Sequence, residues 1–219
     1  MPSLKRYRLY QPRIDTLEDW HWTGKNGLEP NREAILPERL PEKGEQSRSD
    51  MTKYEPDILA GGLKAVFCGI NPATSALIAG ANFSNPSNRF WSVLHLSGFT
   101  DVRLKSQEEH RLLDYKCGIT VVVRRPTRRA DEVSREEFRR ARPDFERRIR
   151  HYAPRALAFL GKRGFLGMTN TADVAWGRQP IRFADTETWV LPNPSGLNRS
   201  FTLAALVSAY SEFRVALEM

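Results

Sequence analysis

The chain has 219 residues, 40% of them apolar, and a formal net charge of +8 at pH 7. That suffices for one ordinary domain with an appendage, and no stretch approaches the roughly eighteen consecutive apolar residues of a membrane helix. The N-terminal stretch lacks the apolar centre of a signal peptide, so a cytoplasmic protein is expected, associated with the nucleoid if it binds DNA.

The charge is unevenly spread. Residues 1–50 hold nine basic and nine acidic side chains, so the whole excess falls in 51–219, where it favours a phosphate-bearing partner over a merely solvated basic face. The same first fifty residues have weak periodicity, and "LPERLPEKGEQSRSD" reads as a polar, proline-punctuated linker. They are read as an N-terminal extension, partly disordered and without assigned function. Met51 stands as an alternative start, and residues 51–219 form the folded domain.

From Asp57 the pattern alternates between strands and helices. "LKAVFCGI" (63–70) is a short apolar run with β-branched and aromatic content, and predicts a buried strand. The following "GINPATSALIAGANFSNPSNRFW" (69–91) is too rich in Pro, Asn and small residues to read as a helix, and predicts a loop. "NRFWSVLHLSG" places Phe90, Leu94 and Ser97 at helical spacing and stops at Gly98. "CGITVVVRRPT" (117–127) is a second strand. "SREEFRRARPDFERRIRHY" begins with Ser134 and Glu137 in capping-box register, with Pro143 predicting a break into a second helix. "RALAFLG" and "TETWVLPNPSG" predict two further strands, and "SFTLAALVSAYSEFRVALE" an amphipathic final helix.

Continuous apolar strands alternating with helices imply an α/β fold, three α/β/α layers around a mainly parallel four-stranded sheet. Ligands of such sheets sit beyond the carboxyl ends of the strands. Both "GINPATS" and "NPSGLNR" fall there, so the two loops are expected to share one cleft.

Asn71 has two readings. It is an Asn-Pro turn residue, or a carboxamide that Pro72 holds extended so that it can orient a water molecule or pair with a planar ligand. Phe83 is a stacking platform for a base or an anchor of its loop, and Leu197 is a wedge for a base stack or an apolar residue folded onto the sheet. Phe90 and Trp91 read as core. Cys68 and Cys117 lie in apolar runs and read as buried thiols; two cysteines cannot supply the four ligands of an iron–sulfur cluster.

Taken in order, "VFCGINP", "NPSNRFW", "LLDYKCGIT", "RPT", "ALAFLGK", "WGRQP" and "WVLPNPSGLNR" resemble the mismatch-specific uracil/thymine-DNA glycosylase family of the uracil-DNA glycosylase superfamily. The resemblance spans Asp57 to Leu217. It implies a monomeric, monofunctional glycosylase that needs no metal or cofactor and starts base excision repair on double-stranded DNA. The excised base would be uracil opposite guanine, and more weakly thymine or etheno-cytosine. Asn71 would position the attacking water, Phe83 would stack on the extruded base, and backbone groups near Ile70 and Phe83 would read its polar edge. Asn193 and Ser195 would shape the pocket floor. Gly196, Leu197 and Arg199 would form the wedge and contact the widowed guanine.

Two positions depart from the family pattern. Ala73 stands where the first motif usually has a glycine, which would cost on the order of 1 kcal/mol if the position needs a positive φ. Asn198 replaces the small serine that often precedes the wedge arginine. Neither loop carries a carboxylate or a histidine, which implies water positioning and electrostatics without a strong general base, and a slow enzyme. Arg89, Lys162 and Arg199 are candidates to grip phosphates; Arg124, Arg125, Arg128 and Arg129 read as a solvated basic loop. Two other classes remain: a non-catalytic binder of mismatched or damaged DNA, and a nucleotide hydrolase using "GINPATS" as a phosphate loop.

Overall fold

The computed structural model describes Trp20–Trp22, Leu28–Pro30, and residues 54–169 and 171–218. The chain divides into two compact units, Met1–Gln46 and Ser47–Met219. In the first, β1 (Trp20–Trp22) pairs antiparallel with β2 (Leu28–Pro30); the rest of the expected extension, and Met51, lie outside the described residues.

The second unit is built on β3 (Ala65–Gly69), β4 (Cys117–Val121), β5 (Ala156–Leu160), β6 (Gly177–Arg178) and β7 (Glu187–Leu191), in the order β4-β3-β5-β7-β6. Every pairing is parallel except β6 with β7. The sheet therefore has five strands rather than the expected four. The extra one is a two-residue antiparallel edge, too short to leave a periodic signal.

The continuous apolar strands are buried on both faces, as parallel strands must be. Phe67 points to one face, where its ring meets Phe90 at 5.5 Å and Phe99 at 5.1 Å between centroids, and stacks on Tyr210 at 6.0 Å. Those partners come from α2 (Phe90–Leu96) and α5 (Leu203–Glu218), with the segment between. Val66, Cys68, Leu157 and Phe159 point to the opposite face, against α3 (Arg135–Tyr152) and α4 (Lys162–Thr169). Cys68 and Cys117 are free and buried. Ile58 pairs antiparallel with Ile119 on the outer edge of β4, covering it. A Cβ on Gly118 would lie 2.5 Å from the Ile58 carbonyl, so this cover requires glycine there.

Two expectations are corrected. α3 runs unbroken through Pro143. Pro143 is exposed, so the carbonyl freed by its missing N–H faces water, while Phe138, Phe145 and Ile149 are buried on the other side and hold both halves in line. Ser134 and Glu137 cap it reciprocally, at 2.9 and 3.2 Å. Within the stretch expected to be loop, Thr74–Ala79 forms the short helix α1, ended by Gly80 in the left-handed conformation.

Candidate active site

β3 sends the chain to β4 on one side, and the chain returns to β5 on the other, so the strand order reverses between β3 and β5. Such a reversal leaves a crevice beyond the carboxyl ends. Here it is a cleft of about 380 Å³, lined among others by Ile70, Asn71, Phe83, Asn193, Ser195 and Leu197. Six of the eight residues singled out in the sequence thus line one cavity, with room for a pyrimidine. Gly196 and Arg199 belong to the same loop but do not line it.

Hydrogen bonding fixes which way the Asn71 carboxamide points. Its Nδ2 donates to the Arg125 carbonyl and to Thr127 Oγ1, both at 2.8 Å. The single hydroxyl proton of Thr127 goes to the Arg129 carbonyl at 2.7 Å, so Oγ1 can only accept from Asn71. Both donors of Asn71 are therefore spent. Its Oδ1 is left as an acceptor in the cleft. Thr127 is further tied to the Asn71 loop by backbone bonds, from its N–H to the Pro72 carbonyl and from the Thr74 N–H to its own carbonyl.

Asn193 is turned the other way. Its Oδ1 accepts from the Ser195 N–H at 2.9 Å, and Nδ2 has no acceptor among the described residues. One carboxamide offers the cleft an acceptor and the other a donor.

Phe83 has one ring face on Phe90, at 3.9 Å between centroids and 23° between planes. Phe83 also lines the cleft and is half-buried. Its φ is +51°, a left-handed conformation that costs an aromatic residue about 1 kcal/mol or more. The Phe83 N–H has no acceptor among the described residues. What holds the loop is the preceding residue: buried Asn82 donates its N–H to Glu109 at 2.7 Å and accepts from the Tyr54 hydroxyl at 2.7 Å. Burial pushes the Glu109 carboxyl above its usual range, opposed by the Asn82 hydrogen bonds.

The loop after β7 is organised by Arg89. Its guanidinium donates to the carbonyls of Phe201 (2.7 Å), Asn198 (2.9 Å), Ser195 (3.1 Å) and Pro194 (3.4 Å). Arg89 is thus occupied inside the protein, which corrects its reading as a phosphate contact. Asn198 braces the same loop through Nδ2 to the Asn193 carbonyl at 2.9 Å. Gly196 passes so close to Ser87 that a Cβ would collide with its hydroxyl. From this bracketed base Leu197 projects with 74% of its surface exposed. Lys162 lies 5.1 Å over the Trp176 ring, and Arg199 is exposed without a partner among the described residues.

Sequence reading missed three contributors. Two are Thr127 and Tyr54; the third is Asp131, a carboxylate on the cleft wall. Asp131 pairs with Arg129 at 2.8 Å, which holds its carboxyl below the usual range and makes it a poor base. Ala73 has φ −76° and ψ 146°, ordinary extended backbone, so the expected strain at this departure from the family pattern is absent.

Residues 56–214 match the family described as the uracil DNA glycosylase superfamily. In fold the chain is similar to the solution NMR structure of a Methanosarcina acetivorans protein regarded as a uracil DNA glycosylase, with a TM-score of 0.52 and 20% identity over 75% of this chain and 96% of that one. With the match covering most of its length and the cleft where this architecture puts ligands, the chain belongs to the uracil DNA glycosylase superfamily.

Proposed function

We propose that the protein is a monofunctional DNA glycosylase that extrudes uracil mispaired with guanine from duplex DNA and hydrolyses its N-glycosidic bond. Thymine and etheno-cytosine are weaker substrates. The observation that carries this reading is the orientation of Asn71, whose two N–H groups are engaged by Arg125 and Thr127. The remaining Oδ1 accepts a hydrogen bond from water and turns the water's lone pair toward the anomeric carbon. As the C1′–N1 bond breaks, its electron pair leaves with the base, water oxygen bonds to C1′, and the water proton passes to solvent.

The developing pyrimidine anion needs donors, and two residues lining the cleft carry unpartnered ones, the Phe83 N–H and Asn193 Nδ2. Phe83 offers its free face to the base, and Leu197 fills the vacated space, with Arg199 beside it facing the widowed guanine. Extrusion is cheapest from a mispair, which accounts for the guanine preference. The protein works as a monomer and without a metal.

Single-turnover excision from G·U, A·U, G·T and single-stranded uracil substrates tests this. G·U is expected to react fastest. Retarded mobility of the G·U duplex with no abasic product would make the protein a non-catalytic binder, and equal rates on A·U and G·U would remove the mismatch preference.

A further inference from the structure

Ion pairs silence much of the basic charge. Arg124 faces Glu55 and Asp57, Arg125 faces Glu137, and along α3 Arg139 and Arg140 pair with Glu136, Arg142 with Glu146 and Arg147 with Asp144. Arg103 and Lys105 differ. Both are exposed, and neither side chain forms an ion pair among the described residues; the Glu108 carboxylate, which accepts from the Lys105 backbone N–H at 2.8 Å, is itself paired with Arg111.

These two side chains line a second groove, of about 420 Å³. Phe83, Ser84, Asn85 and Asn88 border both it and the base cleft, so only the stacking loop separates the two. Between the cations Leu104 is buried and anchors the segment. Lys105 is extended (φ −87°, ψ 157°), and residues two positions apart on extended chain share a side about 7 Å from each other, a spacing that would suit Arg103 and Lys105 to successive phosphates of one strand. Trp91 also lines the groove, and its indole N–H is buried without an acceptor.

We propose that this groove is a second DNA site, holding the phosphodiester backbone next to the extruded nucleotide, with Arg103 and Lys105 each facing one phosphate. The assignment rests on reading the main cleft as the base pocket. A nucleotide in that cleft stays joined to the strand on either side of it, and the groove is the open, cationic surface across the Phe83 loop that this strand can follow.

The test is fluorescence anisotropy with a duplex carrying a tetrahydrofuran abasic analogue opposite guanine, titrated across a KCl series. Each phosphate contact contributes about 0.9 to the slope of log K against log salt. Arg103→Ala/Lys105→Ala is expected to lower that slope by about 1.8 and to weaken binding several-fold at low salt. Arg139→Ala/Arg140→Ala removes the same charge from α3 and is expected to leave the slope alone. An unchanged slope in the first variant, or an equal fall in both, overturns the proposal. Arg103→Gln/Lys105→Gln gives the same readout should the alanine pair fold poorly. Excision assays separate the two readings: a lowered slope without excision from any duplex still supports the groove as a DNA site, whereas excision with an unchanged slope removes the groove alone.

Discussion

In the loop after β3 the side chain facing the cleft, Asn71, is itself anchored, through both of its N–H groups, whereas the exposed tip of the loop after β7, Leu197, is held only indirectly, by a base whose carbonyls gather around Arg89. The difference follows from what each loop presents. In the proposed reading the carboxamide orients water through its oxygen, so its rotation must be stopped from the other end, by bonds to its own N–H groups. The leucine, proposed to enter a base stack, would need no orientation of polar atoms, only a stiff base beneath an exposed tip.

Removing the fixed amide breaks this contrast most sharply. Asn71→Ala is expected to cut the single-turnover rate on G·U by about a thousandfold or more, with duplex affinity nearly unchanged; a variant as fast as the parent would show that Asn71 does not carry the reaction. Next comes its support. Thr127→Val keeps the shape but offers Asn71 no acceptor, and should cost about 10- to 100-fold in rate, with Thr127→Ser restoring most of it. A rate loss matched by an equal loss in melting temperature would make Thr127 merely structural.

The asymmetry between these residues marks what can be seen in a sequence. Four strands and the final helix were legible because continuous apolar runs and 3.6-residue spacing are local signals. Asn71 and Leu197 were legible as unusual residues at strand ends. Thr127 was not, because its contact spans 56 residues and exists only since β3 and β4 lie side by side, with Gly69 opposite Val121. Asp131 and Tyr54 were hidden for the same reason. The six residues of α1 lack a side-chain cap and an acidic first turn, so nothing local announced them.

The wedge offers a smaller effect of a different kind. Leu197→Ala removes an apolar side chain worth about 1.5–3 kcal/mol when buried, so binding and excision of duplex G·U should fall by tenfold or more while single-stranded uracil is cut as before. Equal losses on both substrates would mean that Leu197 does not enter the duplex.

The smallest effect concerns Glu109 behind Phe83. Because burial raises its folded-state pKa, its contribution to stability is full below the unfolded glutamate value and is lost as pH rises through the raised one. Glutamine accepts the same bond from the Asn82 N–H without a charge. Glu109→Gln should therefore melt as high as the parent or a few degrees higher at about pH 8, with the gap closing toward about pH 4. A parent clearly more stable than the variant at the higher pH would contradict this.

The near-contact of Gly196 with Ser87 has a mechanical consequence. Ser87 belongs to the segment that also carries Phe83, so the leucine tip and the aromatic platform ride on abutting backbones and cannot spread independently. If the proposed wedge is right, a nucleobase too bulky for the space between them would have to lift the tip out of the helix stack to gain room, and in doing so would surrender the plug that keeps its own vacated gap from closing.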